Sequence, residues 1–99
     1  MLSNPKYFQI LDEIFTIVEL RKKNKKSNSY TSKLFKRGKN RIAQKVLEES
    51  SELVIDYLNG SKKRTIEEVS DLLFHTIVLL SDKKITPKQV AKELKSRIK

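Results

Sequence analysis

The sequence predicts an all-α fold, a bundle of helices joined by short connections. Apolar residues recur at spacings of three and four along most of the chain, and no stretch alternates as a half-buried strand does. Only two glycines and two prolines punctuate its 99 residues. With 37% hydrophobic residues, this length makes one small domain, 1–99, around a thin core. Self-association that buries more apolar surface, a dimer at least, is therefore expected.

The first helix is expected to open with Asn4 as its cap and Pro5 in its first turn. It should turn Tyr7, Leu11, Ile14, Phe15 and Val18 toward the core and fade among residues 21–26. Residues 27–38 gather small polar side chains around Tyr30, with Leu34 and Phe35 as anchors, and read as an ordered loop against the body. A second helix follows over 39–59 and is closed by Gly60, the residue best able to turn left-handed. Thr65 caps a third, running to about Ser81, which is apolar nearly all round as a buried helix is. Thr86, with Pro87 next, opens a fourth that carries Val90, Ala91, Leu94 and Ile98. Neither an internal repeat nor a low-complexity tract is visible.

The net charge of +10 is unevenly placed. Between Glu19 and Glu48 lie eleven of the 22 lysines and arginines and not one acid. Such a block attracts polyanions: nucleic acid, a membrane surface or a small polyphosphorylated substrate; the bland alternative is a solvated lysine-rich surface. The absence of cysteine rules out disulfides and thiolate metal sites and fits a reducing compartment, the cytoplasm by default. Residues 1–6 lack a signal-peptide pattern, and no apolar run approaches the roughly 18 to 20 residues of a membrane span, so a soluble, whole protein is expected.

Five carboxylates stand out against this background. Glu48, Glu49 and Glu52 lie on the second helix and Glu68 and Asp71 on the third, on otherwise apolar stretches. At about 100° per residue, Glu68, Asp71 and His75 share one narrow stripe, and Glu48 and Glu52 share another, with Glu49 and Asp56 beside them. Two such helices face to face bring four or five acids together, and a hard divalent ion with oxygen ligands is the natural neutraliser. Bland roles compete. Thr65 and Glu68 also fit a capping box, Glu48 and Glu49 could be solvated, and Glu52 could pair with a lysine. Asp71, a mediocre helix former among apolar neighbours, reads more as a ligand than as half of a salt bridge. His75 is the single histidine and reads as a hydrogen-bonded structural residue. Ser50, Ser51 and Ser70 have no adjacent histidine, and residues 35–39 match no phosphate-binding loop, so phosphates must be held by side chains and helix ends.

Three runs, Ser29-Tyr30-Thr31-Ser32-Lys33-Leu34-Phe35, Lys45-Val46-Leu47-Glu48-Glu49-Ser50-Ser51-Glu52 and Glu68-Val69-Ser70-Asp71-Leu72-Leu73-Phe74-His75, together resemble the phosphoribosyl-ATP pyrophosphohydrolase family. That family belongs to the all-α nucleoside triphosphate pyrophosphatases that include the MazG-like proteins. The resemblance spans roughly residues 5–97. The paired acidic motifs mark the superfamily alone, while the first run and the Asp-Leu-Leu-aromatic-His run point to the histidine-pathway branch. It implies a four-to-five-helix bundle, a homodimer, and Mg²⁺ held by Glu48, Glu49, Glu52, Glu68 and Asp71. It also implies that Tyr30, Lys33 and Lys45 lie near the substrate's phosphates or ribose. Three positions depart from the family pattern: Leu47 replaces a glycine, Ser50 a small apolar residue, and Asp56 an alanine-like one.

The implied reaction is hydrolysis of phosphoribosyl-ATP to phosphoribosyl-AMP and pyrophosphate, the second step of histidine biosynthesis. Mg²⁺ would activate a water to attack the α-phosphorus, and Glu49 or Glu52 would accept its proton. One alternative is a housekeeping nucleoside triphosphate pyrophosphatase with the same metal chemistry. Another is a non-enzymatic nucleic-acid-binding module built on residues 21–45. Against the latter, Tyr30 and Phe35 are the only aromatics in that block, and it leaves the interior acids without a purpose.

Overall fold

A computed structural model describes residues 5–98 of the chain, with side chains over 9–98. It is all-helical, with five helices among the described residues: α1 (Pro5–Lys23), α2 (Tyr30–Arg37), α3 (Lys39–Asn59), α4 (Lys62–Asp82) and α5 (Pro87–Ser96). The expected cap Asn4 and the side chain of Tyr7 lie outside the described residues.

α1 turns Val18 fully into the core and packs Leu11, Ile14 and Phe15 against it, as its periodicity predicts. Residues 27–38 are not a loop. Ser29 accepts a hydrogen bond from the Ser32 amide and starts α2, whose Leu34 and Phe35 join Val18, Ile42, Ile77 and Val78 in the core. Ser32 is buried too, because its hydroxyl reaches the carbonyls of Arg21 and Asn24, at 3.1 and 3.0 Å, at the end of α1.

α3 has the predicted limits, but Gly60 is not left-handed: it is extended, with φ −100° and ψ −177°, and its amide caps the Asp56 carbonyl. What disfavours a side chain there is crowding, since a Cβ on Gly60 would stand 3.0 Å from the Asp56 Cα and carbonyl oxygen and would displace its Oδ1. The residue that needs glycine's backbone freedom is Gly38, with φ +97°.

α4 begins earlier than expected. Ser61 caps it by accepting from the Arg64 amide, whereas the Thr65 hydroxyl sits inside the helix and bonds the carbonyls of Asp56 and Ser61. The capping box proposed for Glu68 does not form. α5 opens as predicted, with Thr86 and Gln89 in a reciprocal capping box and Pro87 in the first turn.

α3 and α4 fold back on each other across the short turn at Gly60 and Ser61 and make the most extensive helix contact, while α1 and α2 close one side. The expectation of a helix buried all round fails for α4 in the single chain, because Ile66, Val69 and Leu73 stay exposed. No helix of the described residues is long and apolar enough to cross a membrane.

Candidate metal centre

The α3–α4 pair brings acids from both helices to one place. Ligand-capable atoms of Glu49, Glu68 and Asp71 all lie within 4.8 Å of one another. Glu49 and Glu68 are 6% and 4% exposed, and Asp71 opens to solvent. In both buried acids one carboxylate oxygen, Oε2, has no hydrogen-bond partner. An unpartnered buried carboxylate oxygen is costly, and two acids that each carry one, grouped with a third acid, fit a hard cation.

The oxygens that do have partners face cations. Glu68 Oε1 accepts from Arg64 Nη2 at 2.7 Å, and Lys45 Nζ lies 3.5 Å from Glu49 Oε1. Burial pushes the Glu68 carboxyl up; Arg64 opposes this, and Asp71, Asp56 and Glu49 add to it. For Lys45, burial works against the charge, yet Tyr30, Glu49 and Glu48 outweigh it and hold the ammonium above its usual range.

The remaining predicted ligands stand at the edge. Glu52, exposed on α3, is pushed up first by hydrogen bonding with Glu49, then by that neighbour's charge. Glu48 is exposed and outside the trio, 3.5 Å from both Arg41 and Lys45. The two helices therefore converge on Glu49, Glu68 and Asp71, with Glu52 adjoining and Glu48 turned to the basic side chains.

Of the predicted substrate contacts, Lys45 is at the site, and half-exposed Tyr30 is near enough to influence it. His75 is buried and has a hydrogen-bond partner at each ring nitrogen. Its Nδ1 lies 2.7 Å from the Asp71 carbonyl, which can only accept, so Nδ1 carries the hydrogen. In the neutral ring Nε2 then accepts from the Tyr30 hydroxyl at 2.8 Å, fixing α2 to α4 beside the acids. Lys33 is exposed one turn after Tyr30, on the same side of α2.

Two arginines that the acidic pattern does not single out, Arg64 and Arg41, also pair with these acids. The guanidinium of Arg64 serves Glu67 at 2.7 Å, Glu68 at 2.7 Å and Asp56 at 3.7 Å. Its spacing of three and four residues from Glu67 and Glu68 was the available signal.

The model of the family "Phosphoribosyl-ATP pyrophosphohydrolase" matches residues 11–98. A phosphoribosyl-ATP pyrophosphatase of Sulfolobus acidocaldarius is 47% identical over 90 residues, covering 91% of this chain and 95% of that protein. One of Clostridium acetobutylicum is 38% identical over 89 residues, covering 90% and 81%. A histidine biosynthesis bifunctional protein of Thermotoga maritima is 38% identical over 87 residues, 88% of this chain but 44% of that protein.

Proposed function

The chain belongs to the phosphoribosyl-ATP pyrophosphohydrolase family, and we propose that it hydrolyses phosphoribosyl-ATP to phosphoribosyl-AMP and pyrophosphate, as a Mg²⁺-dependent enzyme of histidine biosynthesis. The observation that carries the metal requirement is the pair of buried, unpartnered oxygens on Glu49 and Glu68 beside Asp71. All-oxygen donors of this kind suit Mg²⁺. Glu49, Glu68 and Asp71 would hold the ion, with Glu52 and Glu48 completing the acidic wall as substrate enters.

When bound, Mg²⁺ supplies Lewis acidity, offsetting charge on the triphosphate oxygens and favouring ionisation of the attacking water. The chain's own groups do the rest. Lys45, already charged and at the site, would take a phosphate oxygen, and Lys33 would reach the same polyanion from α2. Tyr30, anchored by His75, would pack beside the ribose. Glu52 is the better placed of the two candidate bases, because it is exposed and lies outside the trio, while Glu49 is buried and engaged by Lys45. It would accept the proton of the water that attacks the α-phosphorus.

The exposed apolar faces of α3 and α4 support a homodimer. The lack of cysteine fits the reducing, cytoplasmic setting that this reading implies. A housekeeping nucleoside triphosphate pyrophosphatase would use the same acids, and substrate preference separates the two.

The deciding assay is pyrophosphate release with Mg²⁺ from phosphoribosyl-ATP, beside dCTP, dUTP and ATP. Release should be specific to phosphoribosyl-ATP. Asp71→Ala should lower it by about a hundredfold or more, since several kcal/mol of metal-borne stabilisation goes with the ligand. No release from phosphoribosyl-ATP, or an unaffected Asp71→Ala enzyme, overturns the assignment.

A further inference from the structure

We propose that Arg64, braced by Asp56, is a positioning residue of the metal centre that makes Glu68 a ligand through one oxygen only. This rests on the metal-binding assignment above and adds to it a residue pair outside the acidic trio. Glu68 is buried, its Oε1 is held by Arg64 Nη2 at 2.7 Å, its Oε2 has no partner, and one of its oxygens lies within 4.8 Å of ligand atoms of Glu49 and Asp71. With Oε1 engaged by the guanidinium, Oε2 is the freer donor, and a chelating contact would crowd the ion and Arg64 onto the same oxygen. The arginine thus fixes both the direction and the number of contacts that Glu68 offers.

Arg64 could not do this if it were free to wander, for its side chain is 55% exposed. It is held on two further sides. Nη1 donates to Glu67 Oε1 at 2.7 Å, and Nη2 lies 3.7 Å from Asp56 Oδ2. Asp56 stands in the last turn of α3 and Arg64 in the first turn of α4, so the pair spans the hairpin. Gly60 makes the approach possible, since any side chain there would press on Asp56. Asp56 is also one of the positions where this sequence departs from the pattern it resembles, and the clamp gives that acid a purpose. The corresponding contact at the other buried acid is looser: Lys45 lies 3.5 Å from Glu49 and is shared with Glu48.

An opposite role is conceivable from the same contacts. Arg64 could be a competitor that occupies the carboxylate an ion needs, and the two roles differ in sign. Positioning predicts weaker metal binding when Arg64 is removed; competition predicts tighter binding. Mn²⁺ alone, titrated into the full chain without substrate and followed by the electron paramagnetic resonance of the free ion, measures this directly.

Arg64→Gln should raise the Mn²⁺ Kd about 10- to 100-fold, the usual cost of losing a group that orients a ligand. Arg64→Lys should recover part of the loss, and Asp56→Ala, a change at the brace, should give a smaller increase of the same sign. An unchanged or lower Kd in Arg64→Gln overturns the proposal, as does a drop in thermal stability of the metal-free protein with no change in Kd. If Arg64→Gln fails to fold, Asp56→Ala decides on the same criterion. Wild-type protein that binds no Mn²⁺ would sink the metal centre itself, an outcome distinct from wild-type binding that Arg64→Gln leaves untouched.

Discussion

Ser81, with no exposed surface, ties the last turn of α4 to α1: its hydroxyl donates to Glu19, and Lys22 reaches both Glu19, at 3.1 Å, and the Ser81 carbonyl, at 2.8 Å. The Ser81 hydrogen bond is the main reason the Glu19 carboxyl is held below the ordinary value of 4.5, with Lys22 adding to it. A depressed folded-state pKa contributes stability above 4.5 that is lost as pH falls through the lower folded value. Ser81→Ala should therefore cost about 1.5–3 kcal/mol in denaturant unfolding at neutral pH, the worth of a hydrogen bond to a charged group. That cost should shrink below pH 4.5 as Glu19 takes up a proton; a pH-independent deficit would mean that packing alone is at stake. None of this is visible in the sequence, where Ser81 merely ends an apolar run. The acids were legible for the opposite reason. Glu68 and Asp71 share the stripe their spacing predicts, whereas on α3 the acid that meets them is Glu49, beside the expected Glu48 and Glu52 stripe. Arg64 was not read because a lysine- and arginine-rich segment disguises it, and three basic residues in a helix's first turn run against the helix dipole.

Among the elements, α2 was read as a loop because Thr31 and Ser32, two of its four buried residues, are polar and break the apolar period. They are buried for a tertiary reason, Ser32 because it satisfies the open carbonyls at the end of α1, and no local pattern carries that information. The Ser29 cap and the Leu34–Phe35 pair were the available signals. The α2–α3 junction depends on Gly38, whose amide caps the Leu34 carbonyl at 3.0 Å while its own carbonyl accepts the Ile42 amide at 3.2 Å. Its φ of +97° and ψ of −176° fall in a region open essentially to glycine alone, and nothing lies within 4 Å of where a Cβ would stand. Gly38→Ala is thus a clean test of backbone strain without steric clash. It should cost about 1–3 kcal/mol by chemical denaturation, and because α2 carries Tyr30, the loss of helix should be accompanied by weaker substrate binding. A variant as stable as wild type would show that the junction can relax. By contrast, the limits of α3 and the start of α5 are legible in the sequence because local chemistry sets them, a glycine stop in one and Thr86 followed by Pro87 in the other, although α5 ends at Ser96, short of the Ile98 expected on it.

For the whole molecule, the single chain is an incomplete solution to burial. Leu47 and Leu58 on α3 are 70% and 68% exposed, and Val54 and Ile55 between them share that face at spacings of seven, eight and eleven. On α4, Ile66, Val69 and Leu73 are also uncovered. The radius of gyration, 14.7 Å, exceeds the roughly 13 Å of a compact domain this size. These uncovered apolar residues are the surface that the proposed homodimer would bury. The predicted all-round apolar character of α4 then makes sense in an assembly, not in one chain. Wild-type protein should sediment at twice the 11.6 kDa of one chain, and its unfolding midpoint should rise with protein concentration. Val54→Asp would bury a charge in the shared face, so it should sediment at the single-chain mass. Its midpoint should fall by at least about 5 °C, given ~4–8 °C per kcal/mol at this size. A wild-type monomer at tens of micromolar, with a concentration-independent midpoint, would leave these residues as exposed surface and remove the dimer from the account. The basic block makes a contrasting prediction at the same scale. If residues 21–45 serve a small polyphosphate held against the acids, then nucleic acid should bind only weakly, and salt should affect its binding far more than it affects Mn²⁺ uptake.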